Sequence, residues 1–267
     1  MSTQEFQEIV WQHYHENRRD MPWRDNIDPY YILVSEIMLQ QTQVDRVKPK
    51  FAAFIAQFPD ILSLANTKLY DVLRLWSGLG YNRRAKFLWQ AAQKIEADFN
   101  GKMPATLEEL IALPGVGKNT AGAILAYAFN QPVVFIETNI RTVYFHHFFA
   151  DSAETVNDVE LSELVEATLD KENPREWYWA LMDYGVFLKR QYGGRLSQSR
   201  HYKKQTPLKG SLREMRGNIL KALVGGGLSN NELRQKVLAD ERFEPALKSL
   251  EQEGLITIEG NKVSLAS

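Results

Sequence analysis

The sequence predicts a mostly α-helical protein that closes in a small α+β unit. Three observations carry this: apolar residues recur at helical spacing through the first 190 residues, two Gly-apolar-Gly corners sit between such patterns, and the chain ends in two short runs joined at Gly260-Asn261. Phe6, Ile9, Val10 and Tyr14 share one helical face, and that helix stops before Met21-Pro22. Asp28-Pro29 reads as a cap followed by proline at the first helical position, opening a helix through Tyr31, Val34, Ile37, Met38 and Gln41. Further helical patterns occupy 46–57, 69–76 and 86–97, the last broken at Asn100-Gly101. Thr106 with Glu109 reads as a capping box before the helix that enters the second corner, and 120–129 leads out of it. Pro132-Val133-Val134-Phe135-Ile136 is a short extended run, and a helix starts from Glu137. Patterns at 161–169 and 177–188 complete a helical part that predicts two lobes with a cleft between them.

The tail predicts a helix over 212–224, a break at Gly225-Gly226-Gly227, a helix capped by Ser229 with Glu232, another over 243–252, and strands at 255–258 and 262–265. This order resembles a winged helix. Its second long helix nevertheless carries Glu241, Glu244, Glu251 and Glu253 against Arg242 and Lys248, which suits support or a protein partner better than a DNA groove. The expected division is 1–190, a basic linker at 191–210, and 211–267.

With 32 Lys and Arg against 33 Asp and Glu, net charge is −1, so nucleic-acid binding must rest on local clusters. One exists. From Lys189 and Arg190 through Arg195, Arg200, Lys203, Lys204 and Lys209 to Arg213 no carboxylate intervenes, and Tyr192, His201 and Tyr202 lie among the cations. Cysteine is absent, which excludes disulfides, a cysteine nucleophile, a thiolate zinc site and a cysteine-ligated iron-sulfur cluster. His146 and His147 lack partners at metal-ligand spacing and are expected to pack. The polar, acidic N-terminus is unlike a signal peptide and no apolar run reaches spanning length, so the expectation is a cytoplasmic protein, nucleoid-associated if prokaryotic, without membrane contact.

The second corner, Leu113-Pro114-Gly115-Val116-Gly117-Lys118-Asn119-Thr120, combines flexible glycines, an apolar plug and a helix start whose amides and Lys118 favour an anion such as phosphate. The first, Trp76-Ser77-Gly78-Leu79-Gly80-Tyr81-Asn82, repeats the pattern and is followed by Arg83 and Arg84. Two carboxylates attract notice. Glu36 sits among Ile32, Leu33 and Leu39, where burial raises a carboxyl pKa, and Glu137 opens a helix, where amides favour the anion. Taken alone, each also reads as an ordinary helix glutamate.

Leu113-Pro114-Gly115-Val116-Gly117 resembles the hairpin of the helix-hairpin-helix base-excision DNA glycosylase superfamily. Ser35-Glu36-Ile37-Met38-Leu39-Gln40-Gln41-Thr42 and Trp76-Ser77-Gly78-Leu79-Gly80-Tyr81 are most similar to the adenine DNA glycosylase branch, and the match extends from Trp11 to Gly185. The resemblance implies a bilobal fold, double-stranded DNA as partner, a monomer, and hydrolysis of the bond between a base and its sugar, with mismatched adenine as first substrate. Glu36 then takes the base-protonating position. Glu137 stands where the family has aspartate, and Thr138 where the adenine branch has glycine. Gln40, Gln41 and Tyr81 take the positions that fill the stack vacated by the extruded base. Arg83, Arg84, Gly115, Gly117, Lys118, Asn119, Thr120, Arg141, Lys189, Arg190, Arg200 and Lys203 are the remaining expected DNA contacts.

The carbonyls of Ile111, Leu113 and Val116 resemble those that hold a monovalent cation in relatives. Strand-cutting relatives have lysine where this chain has Asn119, which implies base removal without strand cleavage. A cluster-bearing region of many relatives corresponds to the cysteine-free basic run here. Alternatives are a glycosylase for a damaged pyrimidine, a DNA-structure-binding protein without catalysis, and a regulator acting through the tail.

Overall fold

The computed structural model describes residues 1–150, 155–194, 198–199 and 207–267. Two compact units are built from interleaved segments: one from Met1–Glu36, Ala105–Ala112 and Val116–Lys204, the other from Ile37–Pro104, Leu113–Gly115 and Gln205–Ser267. The predicted mostly helical class holds.

In the first unit α1 (Thr3–Asn17) is closed by a reciprocal cap in which Ser2 Oγ accepts from Glu5 N and Ser2 N donates to Glu5. Its buried Phe6, Val10 and Tyr14 face α11 (Asp158–Thr168) and α12 (Pro174–Tyr192), with the Phe6 and Trp177 rings 6.0 Å apart. A four-residue turn, α2 (Pro22–Asp25), is too short to show a period and was not expected from the sequence. It buries Trp23 and Arg24. Arg24 grips Asp183 of α12 with both terminal nitrogens, at 2.7 and 2.9 Å, while Arg19 adds its Nε at 2.7 Å. Burial alone would raise the Asp183 pKa, but hydrogen bonds and charge from Arg24, with Arg19 behind them, hold it below the ordinary value.

α3 (Pro29–Leu39) starts as predicted, with Asp28 accepting from Tyr30 N at 2.8 Å. It ends two residues before Gln41, which turns left-handed at φ 55°. The same unit holds α8 (Leu107–Ile111), α9 (Lys118–Phe129) and α10 (Thr138–Phe148). The run 132–136 joins no β-ladder; Tyr178 donates to Val133 O at 2.8 Å and Asn119 exchanges two hydrogen bonds with Ile136, at 2.9 and 3.3 Å. Gly185 lets α12 touch the first turn of α10, since a Cβ there would lie 2.3 Å from Asn139 O.

The second unit contains α4 (Val44–Gln57), α5 (Ile61–Ala65), α6 (Leu69–Trp76) and α7 (Arg83–Phe99), the last stopped by Asn100 at φ 51° as its sequence predicts. The tail supplies α13 (Leu212–Leu223), β1 (Leu228–Ser229), α14 (Asn230–Lys236), α15 (Phe243–Gln252), β2 (Ile256–Glu259) and β3 (Lys262–Leu265). Its antiparallel sheet runs β1-β3-β2 with Leu228 opposite Val263 and Ile256 opposite Leu265, a winged-helix-like order. Lys86 donates to Glu253 O at 2.7 Å and Tyr70 to Val224 O at 3.0 Å, tying the tail to α7 and α6.

Asp183→Ala leaves the buried Arg24 guanidinium without its carboxylate and is expected to cost about 3–5 kcal/mol, read as a lower urea midpoint. An unchanged midpoint contradicts the structural role assigned to this pair.

Candidate active site

Glu36, one turn before the end of α3, and Glu137, the N-cap of α10, belong to the same unit and feel each other electrostatically. Each keeps an open edge to solvent while protein crowds its carboxyl. Around Glu36 the chain buries Ile32, Leu33, Ser35 and Ile37. Burial raises the Glu36 pKa well above its ordinary value, the Glu137 charge raises it further, and Arg24 opposes both. Burial pushes Glu137 up to about 7. This corrects the expectation that the helix start favours the ionised form: Glu137 makes no side-chain cap hydrogen bond, and desolvation outweighs the dipole. Both carboxyls are therefore pushed towards the neutral form, and the charge of Glu137 adds to the rise at Glu36.

Sequence patterning did not reveal three supporting residues. Tyr127 on α9 is buried, and its hydroxyl pKa is raised well above the ordinary value by burial and then by the charges of Glu36 and Glu137. Its ring stacks on Trp179 at 5.9 Å, and the Arg24 guanidinium lies 5.4 Å from the Trp179 ring. Arg24 and Asp183 are the others. The available signal was a charge, Asp183, four residues after Trp179 on the apolar face of a helix.

The backbone carrying Glu137 is fixed on both flanks, by the Asn119 clamp on Ile136 and by the close approach of Gly185 to Asn139. Asn119 itself, exposed on α9, commits its amide to this clamp.

A family model described as HhH-GPD superfamily base excision DNA repair protein matches residues 34–166, a span containing both carboxylates and both Gly-apolar-Gly corners. The chain belongs to the HhH-GPD superfamily. The adenine DNA glycosylase of Buchnera aphidicola subsp. Baizongia pistaciae is 36% identical over 187 residues, 68% of this chain and 52% of its own length. Its Mycobacterium tuberculosis (strain H37Rv) counterpart is 37% identical over 67% of this chain and 59% of its own, and the human one 36% over 65% and 34%. The chain spans about half the length of the curated relatives it matches. Among solved structures, a thermostable thymine-DNA glycosylase aligns with TM-score 0.64 at 28% identity, covering 69% of this chain and 86% of that one. A non-covalent endonuclease III-DNA complex, 18% identical with TM-score 0.58 over 80% and 94%, shows the fold alone.

In the HhH-GPD hairpin Leu113 and Val116 are buried, Gly115 is left-handed at φ 78° with Phe87 Cβ 2.8 Å from where a Cβ would stand, and Gly117 caps α9. Lys118 is exposed at that helix start, with Thr120 half-buried behind it. Lys189 and Arg190 are exposed in the last turn of α12, and Arg200 and Lys203 lie outside the described residues. Arg141 binds Asp158 through both terminal nitrogens, at 2.5 and 2.9 Å.

In the second unit Gln40, Gln41, Tyr81 and Arg83 line one groove, Arg83 over the Phe87 ring at 4.8 Å. The structure gives Arg84 a different job from the phosphate contact expected of it. Its buried guanidinium binds Ile37 O at 2.8 Å, Met38 O at 3.0 Å, Gln40 O and Gly80 O, closing the end of α3 onto the 77–82 corner. His147 packs as expected: its Nε2 lies 2.9 Å from Tyr184 OH, and burial, with His146 second, lowers its pKa to about 4. Among the described residues no group of His, Asp and Glu is placed to hold a metal, and no helix is long and apolar enough to cross a membrane.

A carboxyl whose pKa is raised by folding binds more protons folded than unfolded, so its contribution falls as pH rises from about 4.5 through the folded value. Glu137→Gln is therefore expected to unfold later than wild type at pH 8, by on the order of 2 kcal/mol, with the gain vanishing by pH 4. Denaturant melts at several pH values measure it, and a variant less stable at pH 8 contradicts the assigned burial.

Proposed function

We propose that this protein is a monofunctional DNA glycosylase of base excision repair that hydrolyses the bond between a flipped-out base and its sugar. The carrying observation is the Glu36/Glu137 pair, two carboxyls in one unit that burial pushes towards the neutral form and that feel each other electrostatically. Cleaving that bond requires a proton on the departing base and a negative charge near the cationic sugar. Glu36, holding the proton, supplies the first; ionised Glu137 supplies the second and orients the water that completes hydrolysis. Glu137 in place of aspartate keeps the charge and lengthens its reach.

Mismatched adenine is the first substrate, supported by relatives named adenine DNA glycosylase at 36–37% identity. A damaged or mismatched pyrimidine is the second reading, favoured by the 28% identity to a thymine-DNA glycosylase structure. Double-stranded DNA is held through the hairpin residues Gly115, Gly117, Lys118 and Thr120 and through Lys189 and Arg190, with Gln40, Gln41 and Tyr81 filling the vacated stack, whereas Arg141 is already committed to Asp158. The carbonyls of Ile111, Leu113 and Val116, hard oxygen donors at a helix end, fit a monovalent cation beside a phosphate. An iron-sulfur cluster does not fit a chain without cysteine. In domain terms the catalytic part is 1–190 and the tail 211–267, joined by the basic segment. The protein acts as a monomer in the compartment that holds DNA, and the tail offers a surface for a protein partner.

Asn119 stands where a strand-cutting relative has lysine, and its amide is bound to Ile136, so no amine is placed to form a Schiff base there. Single-turnover assays on duplexes carrying varied bases and partners, developed with and without alkali, are expected to release one base and to show breaks only after alkali. Glu36→Gln and Glu137→Gln are each expected to lose about 10²–10⁴ in rate. The wild-type rate is expected to rise with pH through about 7 as Glu137 ionises, then fall at higher pH as Glu36 loses its proton. Undiminished rates in either variant, or breaks without alkali, overturn the mechanism.

A further inference from the structure

The first Gly-apolar-Gly corner holds Tyr81 rigidly. Trp76 Nε1 and Arg84 Nη2 donate to Gly80 O at 3.2 and 3.1 Å, Leu79 is buried beneath, and Tyr81 takes φ 48°, a conformation a non-glycine residue adopts only where its surroundings impose it. The ring then meets the tail. Arg213, on the first turn of α13, donates from Nη1 to Tyr81 OH at 2.6 Å and sets its guanidinium 5.5 Å from the ring centre, while Arg84 lies at 5.5 Å as well.

Around this contact opens a cavity of about 1140 Å³ lined by Gln40, Gln41, Arg46, Tyr81, Arg213 and Lys221 among others. Its two acidic lining residues are covered by arginines: Glu253 accepts from Arg216 at 2.6 and 2.7 Å, and Glu214 from Arg242 at 2.9 Å. What remains is a basic groove with an aromatic ring at its wall, complementary to nucleic acid and to a stacked base in particular.

From this geometry we infer that α13 of the tail forms one wall of the site for the base left in the strand opposite the extruded one, and that Arg213 determines which partner base is accepted. The inference rests on the glycosylase reading, in which Gln40, Gln41 and Tyr81 enter the vacated stack. Any base that faces the Tyr81 ring also faces Arg213, whose guanidinium is a fixed fork of donors that discriminates among base edges. The acidic α15 then has no groove to read, and the tail acts through α13 instead.

The test uses the full chain and fluorescence anisotropy on duplexes in which an uncleavable tetrahydrofuran abasic analogue faces each of the four bases. Wild type is expected to show about a tenfold spread in Kd across partner bases. Arg213→Ala is expected to compress that spread below about threefold, and Tyr81→Phe, which keeps the ring and removes the acceptor for Arg213, to narrow it in the same direction. Thermal melts confirm that both variants fold, and the second decides if the first does not. A spread unchanged in both variants, or absent in wild type, overturns the inference. So does a loss equal for all partners with a salt slope smaller by about one, which assigns Arg213 to a phosphate. Failure of wild type to bind any abasic duplex overturns the glycosylase reading itself, a result distinct from binding that Arg213 does not tune.

Discussion

Two carboxyl groups held within one unit and crowded by protein disfavour each other's ionisation, and much of the first unit bears on that constraint. Glu36 and Glu137 come from different helices, each pushed towards its neutral form by burial, and Glu36 is pushed further by the charge of the other. The guanidinium that opposes this, Arg24, is already bound at both terminal nitrogens to Asp183 and lies against Trp179. The Arg24–Asp183 bond also locks α2 onto α12.

The remaining architecture fixes the backbone on the flanks of those carboxyls. Gly185 admits α12 against the first turn of α10, Asn119 clamps Ile136 immediately before Glu137, and the Arg84 guanidinium closes the end of α3 just beyond Glu36. These devices fix backbone, not side chains. In the second unit Tyr81 is held by its own corner and by Arg213 of the tail.

Much of this was legible because helices announce themselves by period and by caps. Ser229 with Glu232 forms the predicted reciprocal cap, and Asn100 and Asp28 stop and start helices where the sequence places them. The misses share a cause. α2, α5 and β1 are too short to show a period, and the early end of α3 depends on Arg84, more than forty residues away in sequence. The motif around Glu36 and Glu137 identified the carboxylates, but a local rule about helix starts gave the wrong sign for Glu137, because burial by distant segments decides its charge. Arg24 and Asp183 were illegible for the same reason: their bond joins residues 159 apart in sequence.

Carbon-13 NMR of protein labelled at the glutamate carboxyls, titrated in wild type, Glu36→Gln and Glu137→Gln, tests the coupling of the two carboxyls most directly. The account predicts a pair that titrates in two separated steps, both above the ordinary glutamate range, with Glu137→Gln lowering the Glu36 midpoint by removing the neighbouring charge. Two carboxyls that each titrate near 4.5, or a Glu36 midpoint that ignores the loss of Glu137, would contradict it.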